Sequence, residues 1–166
     1  MKNLFLIVFI VLGFSGVSFA ADNVTANSSA TIITPIAISK SVDLSFGNIV
    51  ADADGGTVII DATGGRTATG LVLPGATPGT ISAATFTVSG LLSSTYAITL
   101  PATFNVTSTG SNVMAVSTFT KSALAGTIGA AGTQEIKIGA TLTVGTNQAA
   151  GTYTNLTGLA ITVAYN

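Results

Sequence analysis

The amino-acid sequence predicts an all-β, immunoglobulin-like β-sandwich that follows a cleaved signal peptide. Short runs rich in Val, Ile, Thr and Phe alternate apolar with polar residues, and clusters of Gly, Asn, Asp, Ser and Pro separate them. No segment shows the apolar spacing of an amphipathic helix. Runs of this length at these intervals are typical of two packed antiparallel sheets. A β-solenoid is the alternative for a chain rich in Gly and Thr, but that architecture requires a fixed repeat, which the sequence lacks.

The N-terminus has the pattern of a secretory signal peptide. Lys2 precedes an apolar run over residues 4–12, and the small residues Ser18 and Ala20 occupy the positions that a signal peptidase reads. We therefore expect cleavage after Ala20. A permanent membrane anchor is the alternative, but a spanning helix needs about 20 apolar residues and this run is shorter.

Three segments follow from this interpretation: a signal peptide over residues 1–20, an N-terminal extension over residues 21–30, and one β-sandwich domain over residues 31–166. We expect the mature chain to be exported to the cell surface, the extracellular space or a fimbrium, with the periplasm as a place of transit. No later segment is apolar enough to span a membrane.

Composition excludes several function classes. Only 7% of residues are charged, and the five Lys and Arg residues form no cluster, so nucleic acid is not an expected partner. The chain contains no His and no Cys, which removes the commonest general base, the thiol nucleophile and the preferred zinc ligands. The sequence predicts no enzyme, no cofactor and no metal site.

Alternation places the strands and their buried faces. The clearest strand covers residues 134–144, where the inward positions are Ile136, Ile138, Ala140, Leu142 and Val144. Pro35 lies inside the first predicted strand, and because proline cannot donate to a ladder, we expect that strand at a sheet edge or at a bulge. The predicted strands cover residues 30–40, 42–46, 57–61, 84–89, 95–100, 104–107, 113–120, 134–144 and 158–166.

Two carboxylates, Asp52 and Asp54, lie two residues apart in a Gly-rich turn, as at the start of a calcium loop. An EF-hand loop would require further ligands at the positions of Gly56 and Thr63, which have none. A solvated turn is therefore the favoured interpretation. Weak calcium binding by Asp52 and Asp54 together with Asp61 stays open.

Glu135 and Lys137 share one face of the predicted strand over residues 134–144. An acid beside a lysine is one requirement for an isopeptide crosslink to an Asn, but that chemistry needs a dry, tightly packed site. Alternation places both residues on the solvent side. We therefore predict an ordinary surface ion pair of small energetic value.

From Ser28 to Asn166 the chain resembles the bacterial family known as domain of unknown function 4402, which is itself similar to spore coat U and common-pilus major subunits. Short motifs carry the resemblance through their order along the chain. They are Ala30-Thr31-Ile32, Thr34-Pro35-Ile36-Ala37-Ile38, Leu44-Ser45-Phe46-Gly47-Asn48-Ile49, Gly56-Thr57-Val58, Gly64-Gly65-Arg66-Thr67, Gly151-Thr152-Tyr153 and Val163-Ala164-Tyr165-Asn166.

This resemblance implies assembly by β-strand addition. In chaperone-usher pilins, an alternating C-terminal strand flanks an open groove that is filled first by a chaperone and later by the N-terminal extension of the next subunit. By analogy the partners are further copies of this chain, a periplasmic chaperone and an outer-membrane usher. The implied subunit contacts are Val24, Ala26 and Ala30 in the extension and Leu159, Ile161, Val163 and Tyr165 in the last strand.

The extension offers only small apolar side chains for such a groove. Either Ile32, Ile36 and Ile38 are donated instead, or the domain is complete and associates in another way. The expected function is a structural subunit of a pilus-like fibre. The alternative is a secreted glycan-binding or adhesin module that uses loops over residues 51–57 or 73–80, although the absence of Trp argues against a sugar platform.

Overall fold

The computed structural model describes residues 22–122 and 126–166. The chain divides after Ile32, so residues 22–32 and residues 33–166 are described separately. Residues 22–32 contain no strand and are exposed along their whole length. The predicted signal peptide, residues 1–20, lies outside the described residues and stays a prediction. In the described part of the chain, no helix is long and apolar enough to cross a membrane.

Residues 33–166 form an all-β structure, and the parts of it that the structure describes contain no helix. The strands are β1 (Ala37–Val42), β2 (Ser45–Phe46), β3 (Gly56–Ile60), β4 (Arg66–Thr69), β5 (Ile81–Ser82), β6 (Ala84–Ser89), β7 (Thr95–Thr99), β8 (Thr103–Thr107), β9 (Val113–Lys121), β10 (Gly126–Thr127), β11 (Thr133–Val144) and β12 (Thr162–Tyr165).

The described strands form three antiparallel sheets, and the long strand β11 lies at the centre of the largest one. Seven strands make the large sheet, in which β6 pairs with the first half of β11 and β3 with the second half. In the same sheet β1 pairs with β6, β4 with β3, β9 with β11 and β8 with β9. A small sheet has the order β10-β7-β12, and β2 pairs with β5 alone.

Apolar alternation predicted the central strands well. Ile136, Ile138, Ala140, Leu142 and Val144 are all at most 4% exposed, as the sequence predicted for the inward face of β11. The predicted bounds of β6 match the observed ones. These two strands are paired on both sides, so burial on one face fixes their register strongly.

Three predicted strand features were wrong. The first strand does not contain Pro35, because β1 begins at Ala37. The last strand is β12, Thr162–Tyr165, and residues 158–161 lie outside it. Three short strands, β4, β5 and β10, were not predicted, since two to four mostly polar residues give no readable alternation.

The buried side chains form two clusters. The first, here the covered cluster, lies between the large sheet and β7: Ala84, Phe86, Val88, Tyr96, Ile128, Ile136 and Ile138. Half-buried side chains of the small sheet, including Ile98 and Val163, pack against it. The second, here the cleft cluster, draws all its buried members from β9 and β11: Met114, Val116, Ala140, Leu142 and Val144. Its cover comes from loops, from β8 and from Phe46 of the short strand β2.

Candidate functional site

An open cleft of about 800 Å³ lies over the cleft cluster. Its floor consists of cleft-cluster side chains such as Val116 and Leu142, together with Phe86, which also belongs to the covered cluster. Its apolar walls are only half-buried, and they are formed by Leu44, Phe46, Ile49, Phe104, Val106, Tyr153 and Leu159. Half-buried aromatic and aliphatic side chains around a concave surface favour an apolar occupant.

Charge is nearly absent from the cleft. Lys40 and Asp43 are the charged side chains that line it, and they form an exposed ion pair with each other. Since the Lys40 and Asp43 charges are already paired and solvated, the lining offers no unpaired charge to a ligand. An ionic ligand would lose hydration without gaining a partner, whereas an apolar side chain would lose nothing.

One rim of the cleft is formed by residues 43–51, around β2. The backbone of this rim is tied to the loop before β5, because the Asn48 amide donates to the Pro78 carbonyl oxygen at 2.7 Å. The Asn48 side chain also donates to the Thr77 carbonyl oxygen at 2.9 Å. Arg66 Nη1 donates to the carbonyl oxygens of Phe46 at 2.9 Å and Asn48 at 3.0 Å. Hydrogen bonds to the loop before β5 and to Arg66 therefore hold this rim in place.

The opposite rim is formed by residues 148–159, which lead from β11 to the last strand. Tyr153 accepts a hydrogen bond from Gln148 Nε2 at 2.8 Å and donates to the Ala149 carbonyl oxygen at 2.7 Å. Asn155 Nδ2 donates to the Asn105 carbonyl oxygen of β8. Leu156 follows directly, and its side chain is 97% exposed at the cleft. An exposed leucine in the lining of an apolar cleft would be buried by a ligand that binds there.

The predicted subunit contacts of the last strand lie mainly in the protein's own core. Leu159, Ile161, Val163 and Tyr165 are half-buried against the covered cluster, and of these four only Leu159 also lines the cleft. The Tyr165 hydroxyl donates to the Thr34 carbonyl oxygen at 2.8 Å and accepts from the Leu91 amide at 2.7 Å. Tyr165 thus anchors the end of the chain within the domain.

The predicted contacts of the extension are exposed. Val24 is 90% exposed, and Ala26 and Ala30 are exposed as well. Ile32 is 99% exposed, whereas Ile36 and Ile38 pack against the covered cluster. Of the three isoleucines named as possible donors, Ile36 and Ile38 already pack in the fold of their own chain, and Ile32 is exposed.

The Asp52–Asp54 turn has the features of a solvated loop. Asp52 Oδ1 accepts from the Ala53 amide at 2.5 Å, and the Asp52 carbonyl oxygen accepts from the Asn147 amide at 3.2 Å. Within residues 22–122 and 126–166, no group of three or more His, Cys, Asp or Glu side chains could hold a metal ion. Asp61 is not part of such a group.

Glu135 and Lys137 form the predicted surface pair. Lys137 Nζ lies 3.6 Å from Glu135 Oε1, and the two side chains are 44% and 60% exposed. A dry crosslinking site is therefore excluded at this position. An exposed pair of this kind contributes about 1 kcal/mol or less to stability.

Two side chains have displaced pKa values, and both lie outside the cleft lining. Hydrogen bonds from the Thr63 hydroxyl, then from the amides of Gly65 and Thr63, hold the pKa of Asp61 below its usual 3.8. Burial raises the pKa of Tyr96, whose hydroxyl has no hydrogen-bond partner in the described part of the chain. Neither arrangement places a reactive group beside a cavity, so both are structural features.

Comparison with known proteins gives one family. The family model described as "Domain of unknown function (DUF4402)" matches residues 36–165. Neither a curated protein nor a solved structure matches the chain. The match begins one residue before β1 and ends with β12, so it spans every strand.

Proposed function

This chain belongs to the DUF4402 family, and we propose that it is a structural subunit of a cell-surface fibre that polymerises by β-strand addition. In this proposal the sheets form an immunoglobulin-like sandwich, akin to spore coat U and pilus subunits, in which one strand position is unfilled. The cleft is that position. A strand from the extension of a second copy fills it, and the chain reaches the surface by means of a signal peptide over residues 1–20.

The observation that carries the proposal is the unequal cover of the two buried clusters. The covered cluster lies between the large sheet and the small sheet, whereas the cleft cluster lies on the large sheet and is covered by loops and the two-residue strand β2, whose apolar side chains are half-buried. One added strand would supply the missing cover. Its alternate side chains would enter the cleft, while its main chain would pair with neighbouring edges.

The extension has the alternation that such a strand needs. In an extended chain Val24, Ala26, Ser28, Ala30 and Ile32 project to one face, and this face spans about 27 Å at the usual rise of a strand. All five residues are exposed. Burying the two largest, Val24 and Ile32, would each contribute about 1.5–3 kcal/mol. The small residues between them would allow the backbone to approach closely.

Backbone groups are available beside the cleft. Residues 155–161 belong to no strand, and Asn155, Leu156 and Leu159 among them line the cleft. Backbone that is not paired in a ladder can pair with a strand of another chain. A polymer subunit uses this property, whereas a monomeric protein normally blocks it.

The alternative function, glycan recognition through residues 51–57 or 73–80, has less support. Neither loop contains an aromatic residue. The carbonyl oxygens of Thr77 and Pro78 accept hydrogen bonds from Asn48, so part of the second loop serves the rim of the cleft.

Electron microscopy and size-exclusion chromatography of the mature chain test the proposal. We expect filaments in the wild type and monomers in Ile32→Asp, because a carboxylate on the inward face would have to be buried without a partner. Thr31→Asp is the matched control, since residue 31 faces outward and should assemble like the wild type. Equal assembly of the two variants, or a wild-type protein that stays monomeric and retains sugar on an affinity column, would overturn the proposal.

A further inference from the structure

Arg66 lies in β4 and does not line the cleft, yet its side chain reaches the rim. Nη1 donates to the carbonyl oxygens of Phe46 at 2.9 Å, Asn48 at 3.0 Å and Pro78 at 3.4 Å. Phe46 and Asn48 both line the cleft. One guanidinium nitrogen thus joins the cleft rim to the loop before β5.

Arg66 interacts with backbone carbonyl oxygens and forms no ion pair with the described residues. Among the described residues, Asp43 and Glu135 form ion pairs with Lys40 and Lys137, and no acidic side chain forms an ion pair with Arg66. Its positive charge instead meets backbone carbonyl oxygens. All three contacts are made by Nη1, whose N–H groups are held in the plane of the rigid guanidinium. A lysine ammonium is a compact charge on a flexible stem, so it fits a fixed set of oxygens less well.

Two glycines, Gly47 and Gly79, leave room for the Arg66 side chain and for the close approach of the rim to the loop before β5. Gly47 has φ +71°, a conformation that favours glycine, and a Cβ atom there would lie 2.6 Å from Arg66 Nη1. Gly79, with φ +69°, packs against Asn48 on the other side of the contact. These two glycines let the rim and the loop before β5 approach closely enough to share one cation.

From these contacts we propose that Arg66 is a positioning residue that holds residues 46–48 in the geometry in which the cleft accepts a strand. This inference rests on the proposed function. A rim that is ordered before binding lowers the conformational entropy lost when a strand enters. Without Arg66, the carbonyl oxygens of Phe46 and Asn48 lose a charged donor, and the rim samples positions that narrow or open the cleft.

The test compares Arg66→Met and Arg66→Lys with the wild-type mature chain, and Lys121→Met is the control. Lys121 is an exposed cation at the end of β9, so its substitution removes the same charge without touching the rim. Circular dichroism checks folding. Hydrogen exchange follows the amides of Asn48 and Val50, which donate to Pro78 and Val72. Fluorescence anisotropy follows binding of a labelled synthetic peptide of residues 22–33.

We expect exchange at Asn48 and Val50 to quicken by about tenfold or more in Arg66→Met, with a similar fall in peptide affinity. Arg66→Lys should restore part of both, and Lys121→Met should match the wild type. Unchanged exchange in a folded Arg66→Met protein would overturn the role of Arg66, whatever the peptide does. Faster exchange with unchanged peptide affinity would also overturn it. A wild type that binds no peptide would instead overturn the proposed function, and with it this inference.

Discussion

The two buried clusters of this protein share one long strand but differ in what covers them. Ile136 and Ile138, in the first half of β11, face the covered cluster, where Tyr96 of the small sheet is also buried. Leu142 and Val144, in the second half, belong to the cleft cluster, whose cover is made of loops, β8 and the short strand β2. The same alternation therefore produces a closed core at one end of the strand and an open cleft at the other.

This difference is the structural basis of the function that we propose. Burial of apolar side chains in a closed cluster stabilises the fold. A cluster with half-buried walls still exposes apolar surface to water, and covering that surface with a further apolar strand would be favourable. The role we propose for the cleft follows from that asymmetry. It needs no titratable group, and the cleft holds no charged side chains besides the exposed Lys40–Asp43 pair.

The largest effect on stability is expected from Ile138→Ala in the covered cluster. Ile138 is completely buried, so its truncation should lower the free energy of unfolding by about 2–5 kcal/mol. Urea unfolding of the monomeric fraction, followed by circular dichroism, measures it. Ile59→Ala is the control, because Ile59 is 37% exposed on β3 and should cost far less. Equal losses would mean that the covered cluster is not the stabilising core.

Phe104→Ala tests the cleft side of the comparison. Phe104 is half-buried in the cleft wall and stacks on Phe119 with ring centroids 5.9 Å apart. Its truncation should cost about 1–2 kcal/mol of folding stability, less than Ile138→Ala, because part of the ring is already in solvent. Binding of the peptide of residues 22–33 should weaken by about tenfold. A variant with the full stability loss of Ile138→Ala and unchanged peptide binding would remove the distinction between the clusters.

Tyr96→Phe sharpens the description of the covered cluster. The Tyr96 hydroxyl is buried without a partner, so its removal should leave stability unchanged or raise it by about 1 kcal/mol. Burial raises the pKa of Tyr96, so ionisation of its hydroxyl is less favourable in the folded state than in the unfolded state. The free energy of unfolding of the wild type should therefore be independent of Tyr96 ionisation below a pH of about 10 and should fall as pH rises further. Thermal unfolding between neutral and strongly alkaline pH measures both effects. A smaller alkaline loss in Tyr96→Phe is expected, and an identical loss would contradict the account.

The smallest effect is expected from Asp61→Asn, in the turn between β3 and β4. The pKa of Asp61 is lowered, so its stabilising contribution is complete above pH 3.8 and is lost as pH falls through the lowered value. Thermal unfolding in acid should therefore show a slightly weaker pH dependence in the variant. A stronger acid dependence than in the wild type would contradict this sign. Peptide binding should not change, because Asp61 does not line the cleft.

Sequence patterns predicted the parts of the fold that burial on one face specifies. The inward positions of β11 and the bounds of β6 followed from alternation and were confirmed. The predicted start of the last strand was wrong, because residues 158–161 keep the alternation but lie outside the ladder. Alternation reports which side chains are buried and does not report whether the backbone is paired.

The site was harder to predict than the fold. Val24 and Ala26 were singled out from their alternation, but the cleft walls at Phe46 and Phe104 were not, since an open wall and a closed core require the same residues. Arg66 was named as part of the Gly64-Gly65-Arg66-Thr67 motif, but its contact with the cleft rim was not predicted. Its acceptors, Phe46 and Asn48, are backbone carbonyl groups twenty and eighteen residues away in the chain, and any residue type supplies a carbonyl oxygen.

Intermolecular disulfide trapping tests the central claim most directly, because the chain contains no native cysteine. Val106→Cys places a thiol in the cleft wall. The Val106→Cys protein is mixed in turn with each of nine variants, and each of these carries a single cysteine at one position from residue 24 to residue 32. Asn105→Cys, on the exposed face of β8, is the control. We expect disulfide dimers with Val106→Cys from the even-numbered positions and few from the odd-numbered ones. Equal trapping at all positions, or no more trapping than with Asn105→Cys, would contradict strand addition in the cleft.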